Sequence, residues 1–181
     1  MKVSRKEYKN YLEKEIGKGL TQKFKILTNN SSKAIYFIRK SEYFYGKGFF
    51  SNLLSKYYSN KLGKMYGIFI NPKNRIDVGL KLPHPNGIII GEAVNIGKNC
   101  TIYQQVTIGS ANIGDARKGL QPQLGDNVTV FSGSKIIGNI TLEDNTVVGA
   151  NAVLTKSTQN NGVYVGIPAK LLKIKYDSKE N

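Results

Sequence analysis

The feature that most constrains the fold is a six-residue spacing of aliphatic side chains that runs from residue 70 to residue 154. The residues on this spacing are Ile70, Ile76, Leu82, Ile90, Ile96, Ile102, Ile108, Leu124, Val130, Ile136, Leu142, Val148 and Leu154. The period of about 3.6 residues that is typical of an α-helix is absent from this region. The spacing predicts a solenoid of parallel β character, in which short strands and turns alternate around a prism and one aliphatic side chain per hexad stacks along the axis.

Two further positions of the hexads support the solenoid. Small or short residues lie four positions after the aliphatic residue, at Val94, Cys100, Val106, Val128, Ser134, Thr146 and Ala152. Glycine often follows the aliphatic residue directly, at Gly91, Gly97, Gly109, Gly125 and Gly149, where we expect turns with unusual backbone angles. Cys100 is therefore predicted to be an interior residue and not a catalytic one.

The N-terminal third has a helical pattern instead. The segment "SRKE" that begins at Ser4 fits a capping box at the start of a first helix. A second helix is predicted to be capped around Ser31 and to end at Gly46 or Gly48. A third, "FFSNLLSKYYSNKLG", is predicted to end at Gly63.

These patterns divide the chain into three parts. We predict a helical region over 1–66, a solenoid domain over 67–173 with an inserted loop at 110–123, and a tail over 174–181. The end of a solenoid must be covered, and either the N-terminal helices or the segment "GIPAKLLKIKY" is expected to cover it.

The net charge of +15 is concentrated in the helical region. Residues 1–66 contain 15 Lys and Arg against 4 Asp and Glu, a difference of +11. Such a surface suits nucleic acid, an anionic membrane or an acidic glycan, or it is simply a solvated lysine-rich helical face. Peripheral membrane association stays open among these alternatives, and nucleic acid is the partner that we expect least.

The composition also bears on the compartment. Cys100 is the single cysteine, so no internal disulfide forms, in agreement with a reducing compartment. The N-terminus "MKVSRKEYKN" lacks the apolar core of a secretion signal, and no apolar run approaches the roughly 20 residues of a membrane span. We therefore predict a cytoplasmic protein, and no cluster of side chains predicts a metal site.

The six-residue spacing breaks at two places. The step from Leu82 to Ile90 is eight residues, and it contains the only histidine, His84, between Pro83 and Pro85. The step from Ile108 to Leu124 is sixteen residues, which indicates a loop that leaves the solenoid. Irregular segments on a rigid scaffold commonly carry the functional residues. The two prolines predict a stiff corner that fixes the direction of the His84 side chain.

The hexads, the "LPH" corner followed by "GIIIGE", and the segments "YQQVTIGS" and "VGIPAK" resemble hexapeptide-repeat acyltransferases over residues 68–173. The resemblance is to their serine acetyltransferase-like branch. It implies a left-handed parallel β-helix with a short α-helical N-terminal region. It also implies a homotrimer that binds acetyl-CoA in the groove between neighbouring coils and needs no metal.

The resemblance implies that His84 is catalytic, against the alternative of a surface residue without a role. A neutral imidazole suits removal of a hydroxyl proton at neutral pH. A backbone N–H near Gly109 or Ser110 is the expected donor to the thioester oxyanion. Phe69 occupies the position of the aspartate that orients the family's histidine, so Glu92 is our preferred substitute, with Asp77 or a backbone carbonyl as alternatives.

For the donor, the resemblance implies basic residues for the phosphates of CoA and small residues along its pantetheine arm. The predicted contacts are Lys156, Lys170, Gly133, Ser134, Asn151 and Ala152.

The predicted acceptor site comprises Pro83, Asn86 and Gln121. Pro83 and Gln121 replace an aspartate and a second histidine that help to hold serine in the serine acetyltransferases. Because these changes remove partners for an ammonium and a carboxylate, we predict a sugar hydroxyl as acceptor, in a capsular or exopolysaccharide or its precursor. The alternatives are serine or a xenobiotic as acceptor, and a noncatalytic trimeric solenoid.

Overall fold

The computed structural model describes residues 3–175 and shows four α-helices followed by a parallel β-helix. The helices are α1 (Arg5–Glu15), α2 (Gly19–Thr28), α3 (Asn30–Phe44) and α4 (Phe49–Tyr66). Within residues 3–175, no helix is both long and apolar enough to cross a membrane. Of the predicted tail, residues 176–181 lie outside the described residues.

The helix ends partly confirm the sequence predictions. The Ser4 hydroxyl accepts a hydrogen bond from Glu7 N–H, and the Glu7 carboxylate accepts one from Ser4 N–H, so the capping box is confirmed. The second predicted helix is α3, and its cap is the Asn29 side chain and not Ser31. The predicted end of the third helix at Gly63 is wrong, because α4 continues to Tyr66 and ends at Gly67, which has left-handed backbone angles. The sequence patterns do not predict helix α2.

The β-helix is built from strands of two to five residues. These are β1 (Phe69–Ile70), β2 (Arg75–Ile76), β3 (Ile89–Ile90), β4 (Asn95–Ile96), β5 (Thr101–Ile102), β6 (Thr107–Gly109), β7 (Gln123–Leu124), β8 (Thr129–Val130), β9 (Lys135–Ile137), β10 (Thr141–Leu142), β11 (Val147–Val148), β12 (Val153–Leu154), β13 (Gly162–Val165) and β14 (Lys170–Ile174). They form three sheets, so the solenoid is a three-sided prism.

We number the sheets by their order in each coil. Sheet 1 contains β1, β3, β6, β9 and β12, sheet 2 contains β2, β4, β7 and β10, and sheet 3 contains β5, β8, β11, β13 and β14. The pairs are parallel except β13 with β14, which is antiparallel. In sheet 1, Ile90 pairs with Ile108 and Ile136 with Leu154, so that one regular coil comprises three hexads.

The core of the β-helix confirms the predicted stack. Every predicted axial aliphatic residue except Ile70 is buried, and Ile70 is partly buried. All seven small positions are fully buried. Burial raises the pKa of the Cys100 thiol to about 12, as expected for an interior cysteine.

The prediction about the hexad glycines is wrong in its physical reason. None of Gly91, Gly97, Gly109, Gly125 and Gly149 has a positive φ. Among the non-glycine residues with left-handed backbone angles in the coils, asparagine is the most frequent, at Asn99, Asn127, Asn145, Asn151 and Asn161, because its short polar side chain tolerates these angles. Where glycine is required, the cause is the close approach of neighbouring coils: a Cβ on Gly97 would lie 2.5 Å from the carbonyl oxygen of Gly125.

This difference predicts a stability contrast between two glycines of the same hexad position. Gly97→Ala places a methyl group against backbone of the next coil, whereas Gly109→Ala meets no atom within 4 Å. We expect Gly97→Ala to lower the stability by about 1–3 kcal/mol, a typical cost of overpacking. Thermal melts of the two variants check this; equal melting temperatures would show that the coils do not limit the side chain at residue 97.

The N-terminal helices attach to the first coil through a buried ion-pair network. Arg39 from α3 pairs with Glu15 at 2.5 Å and with Glu42 at 2.8 Å, and it donates hydrogen bonds to the carbonyls of Ile76 and Asp77. Glu15 also accepts from the backbone N–H groups of Gly79 and Leu80. The helices therefore bind backbone groups of the first coil, and at the opposite end β14 pairs with β13. The N-terminal helices thus cover one end of the β-helix, and β14, from the segment "GIPAKLLKIKY", lies at the other.

Candidate functional site

The corner that carries His84 is held from two sides. Gly87 N–H donates to the Tyr66 carbonyl at the end of α4, and Gln105 N–H in the next coil donates to the Asn86 carbonyl. Leu82, just before the corner, is fully buried in the axial stack. Because the backbone is fixed at these points and by the flanking prolines, the exposed side chain of His84 projects from a stiff support.

Aromatic side chains continue from the histidine along the prism. The imidazole and the Tyr103 ring have centroids 6.2 Å apart, and Tyr103 stacks on Phe131 at 4.9 Å with an interplanar angle of 19°. Sequence reasoning misses these two residues. The available signal is that each directly follows an axial residue, Ile102 or Val130, at a position where other hexads have glycine.

The corners between sheet 3 and sheet 1 form one edge of the prism, which we call the histidine edge. It contains the predicted acceptor contacts Pro83 and Asn86 beside His84. It also contains Gly133 and Asn151 in successive coils, where Gly133 N–H donates to the Gln104 carbonyl and Asn151 N–H to the Ser132 carbonyl. These residues thus form a row with His84.

Two of the predicted CoA contacts next to this edge are directed inwards. Ser134 and Ala152 are fully buried. The Ser134 hydroxyl is within hydrogen-bond distance of the Phe131 carbonyl, at 2.6 Å, and of the Gly149 carbonyl, at 2.8 Å. Their contribution is therefore to keep the coil narrow, and their side chains do not reach the surface.

The corners between sheet 1 and sheet 2 form a second edge, which we call the loop edge. The inserted loop leaves it after β6, contains a short 3₁₀ helix at Asp115–Lys118, and returns at β7. Five predicted site residues lie here: Glu92, Gly109, Ser110, Gln121 and Lys156. Within one chain they are separated from His84 by the width of sheet 1. Lys170 lies elsewhere, at the start of β14 in sheet 3.

The predicted orienting partners of His84 have other contacts. The Glu92 carboxylate pairs with Lys73 at 2.7 Å. Asp77, at the corner between sheets 2 and 3, accepts a hydrogen bond from Val78 N–H. In the described residues, no side chain is hydrogen-bonded to the imidazole, and the orienting role of Glu92 stays a prediction.

Two glutamine side chains have buried oxygens that accept no hydrogen bond within residues 3–175. They are Oε1 of Gln104, next to Tyr103 on the histidine edge, and Oε1 of Gln121 on the loop edge. A buried acceptor without a donor is unfavourable, typically by about 1–3 kcal/mol. Gln121, a predicted acceptor contact, is itself only 1% exposed, so its side chain does not reach the surface in one chain.

The comparisons with known proteins agree with this architecture. The family model described as bacterial transferase hexapeptide (six repeats) matches residues 121–156, the region in which the coils are most regular. Residues 121–156 of this chain are thus similar to the hexapeptide repeats of these transferases. The fold of the chain is the left-handed parallel β-helix, with a helical N-terminal region, and the predicted fold class is confirmed.

Curated relatives that this chain matches are named serine acetyltransferase. The one from Staphylococcus epidermidis is 43% identical over 107 residues, which are 59% of this chain and 49% of the relative. The one from Staphylococcus xylosus is 42% identical with the same coverage. This chain thus spans about half the length of the curated relatives it matches. Their names give no support to the predicted capsular and exopolysaccharide branch.

Solved structures show the same fold. A serine acetyltransferase from Brucella abortus aligns with a TM-score of 0.78 and 23% identity over 95% of this chain and 71% of that chain. A serine acetyltransferase in complex with CoA aligns with a TM-score of 0.68 and 26% identity over 78% of this chain and 56% of that chain. The first alignment includes the helical region as well as the β-helix, because it covers almost the whole chain.

Proposed function

We propose that this protein transfers the acetyl group of acetyl-CoA to a hydroxyl group, with His84 as the general base. The observation that carries the proposal is the corner itself. The chain's only histidine lies on a two-residue enlargement of an otherwise regular coil, is exposed, and is held by hydrogen bonds at Gly87 and Asn86. The similarity to serine acetyltransferases, one of them in complex with CoA, supports the same reaction.

The reaction needs one proton acceptor and no other co-reactant. The neutral imidazole of His84 takes the proton of the acceptor hydroxyl as its oxygen attacks the thioester carbonyl. The tetrahedral intermediate collapses with cleavage of the C–S bond, and the departing CoA sulfur receives the proton from the imidazolium. A backbone N–H near Gly109 or Ser110 is the proposed donor to the oxyanion.

The two edges explain why we also propose a homotrimer. His84 and the loop edge are separated by sheet 1 within one chain, and a three-fold arrangement of prisms brings the loop edge of one copy against the histidine edge of the next. Exposed apolar residues between the edges, Phe69 at 61% and Ile89 at 45% exposure, support contact between copies on this side. Glu92, Gln121 and Lys156 would then reach the His84 of a neighbour.

For the donor, we propose that the pantetheine arm follows the row of Gly133 and Asn151 on the histidine edge. Glycine at residue 133 has no side chain that would hold a ligand away from the backbone. Lys156 and Lys170 are the proposed partners of the CoA phosphates, which lysine binds as a point charge.

For the acceptor, the relatives favour serine over the sugar hydroxyl that the sequence alone predicts. We therefore propose serine as the leading acceptor. A sugar hydroxyl is the second candidate, because Pro83 and Gln121 offer neither a carboxylate nor an imidazole to hold the charged groups of serine.

A direct competition tests the acceptor. The full chain is incubated with acetyl-CoA and L-serine together with a panel of neutral sugars, and the products are identified by mass spectrometry. O-Acetylserine as the main product supports serine. Acetylated sugar with serine unchanged would assign the second candidate instead.

A further inference from the structure

Helix α4 has an exposed stripe of large apolar residues. Phe50, Leu53, Leu54 and Tyr57 lie at i, i+3, i+4 and i+7 on one face and are 44–80% exposed. On the packed side, the Ser55 hydroxyl donates to the Ser41 carbonyl at 2.8 Å and is 2% exposed. Leu62 and Tyr66 are buried on the packed side as well, so α4 has apolar residues on two faces, whereas an ordinary surface helix has one apolar face that meets the core.

Helix α2 has a second such stripe. Leu20, Phe24 and Leu27 lie at i, i+4 and i+7 and are 82%, 67% and 75% exposed. The helix buries no residue fully, and Ile26 is the α2 residue that packs against the core. We call the seven residues Leu20, Phe24, Leu27, Phe50, Leu53, Leu54 and Tyr57 the apolar stripes.

The charged residues within α2 and α4, the helices that carry the apolar stripes, are all lysines. Between Ile16 and Ile76 the sequence contains one acidic residue, Glu42, and it is buried against Arg39. On α4, Lys61 and Lys64 lie at i+11 and i+14 from Phe50 and therefore on the same face of the helix. The ammonium group of Lys61 lies 5.0 Å from the centroid of the Tyr57 ring. On α2, Lys23 flanks Phe24 and is exposed.

We propose that the apolar stripes and these lysines bind the surface of an anionic lipid membrane. Exposed Phe and Leu side chains enter the boundary between headgroups and acyl chains, and lysines beside them contact acidic headgroups. A second copy of the chain is disfavoured as the partner because it would bring two basic surfaces together. A nucleic acid would bind the lysines through its phosphates, but it has no apolar interior into which Phe50 and Leu54 could insert. This inference is independent of the acetyl-transfer proposal and places the protein beside a membrane.

Vesicle flotation with the full chain tests the proposal. The probes are vesicles of phosphatidylcholine alone and of phosphatidylcholine with phosphatidylglycerol in equal amounts. We expect at least tenfold more bound protein on the anionic vesicles at low salt, with loss of binding as salt rises. The double variants Phe50→Ser with Leu54→Ser, and Lys61→Gln with Lys64→Gln, should each reduce binding at least fivefold.

Matched substitutions away from the apolar stripes serve as controls. Leu172→Ser replaces a leucine that is 63% exposed on β14, and Lys98→Gln replaces an exposed lysine of the β-helix; both should leave binding unchanged. Thermal melts verify that every variant is folded. Equal binding to both vesicle types, or full binding by Phe50→Ser with Leu54→Ser, would overturn the proposal. The proposal would also be overturned if the wild-type protein did not float with the vesicles and instead self-associated, and if this double variant abolished the self-association. The apolar stripes would then join copies of the chain.

Discussion

Ile136→Asp is expected to unfold the protein. Ile136 is fully buried in the middle of sheet 1 and pairs with Ile108 on one side and Leu154 on the other. A carboxylate there would be surrounded by the aliphatic stack with no charge partner, and the cost of such burial exceeds that of ordinary core substitutions. We expect loss of the β-sheet circular dichroism signal and of the mass of the proposed trimer.

A matched substitution controls for the change from isoleucine to aspartate. Ile113 is fully exposed in the inserted loop, so Ile113→Asp should keep the native spectrum. If Ile136→Asp gave a native spectrum and mass, the axial assignment of the hexads would be wrong.

His84→Ala is expected to lower kcat/KM for acetyl transfer by about 10²- to 10⁴-fold, the usual contribution of general-base assistance. The melting temperature should stay the same, because the imidazole is exposed and the corner is held through its backbone and through Leu82. Steady-state kinetics with a thiol reagent for released CoA, together with a thermal melt, measure both effects. Activity close to that of the wild type would remove His84 from the catalytic assignment.

The scaffold is predictable because each hexad repeats the same environment. Ile90, Ile108 and Ile136 occupy equivalent places in successive coils, so the pattern is long enough to be recognised in one sequence. Helix α2 lacks that advantage. The Lys18 side chain makes no capping hydrogen bond, and Leu20, Phe24 and Leu27 are exposed, so the sequence of α2 has neither a start signal nor an apolar face that meets the core.

The turn chemistry is predictable only in part. Glycine after an axial residue suggests positive φ angles, yet the structure places those angles at residues such as Asn99 and Asn127. The requirement at Gly97 comes from Gly125, 28 residues later, and a contact between coils does not appear in local sequence.

The candidate site also combines a local sequence signal with placement that depends on the coils. His84 is found because two additional residues interrupt the hexads, which is a local signal. The separation of Glu92 from His84 depends on the strand between them, β3, which spans one side of the prism. With three hexads per coil, residues that precede and follow the same strand lie on different edges. Assigning each hexad to a side of the prism is therefore enough to place Glu92 on the loop edge.

The prediction from sequence that the acceptor is a sugar hydroxyl rests on two positions, Pro83 and Gln121. The relatives named serine acetyltransferase share up to 43% identity over 107 residues, which is evidence from the whole β-helix and not from two side chains. Pro83 and Gln121 are only predicted acceptor contacts, so the wider similarity outweighs them in the proposal.

Acceptor-dependent release of CoA from acetyl-CoA by the full chain, followed with a thiol reagent, distinguishes an acetyltransferase from a noncatalytic solenoid. We predict release that rises with serine or another hydroxyl acceptor and saturates, and that falls by two or more orders of magnitude in His84→Ala. No release with any acceptor, together with no detectable binding of CoA by calorimetry, would contradict the proposed function and identify the protein as a noncatalytic β-helix module.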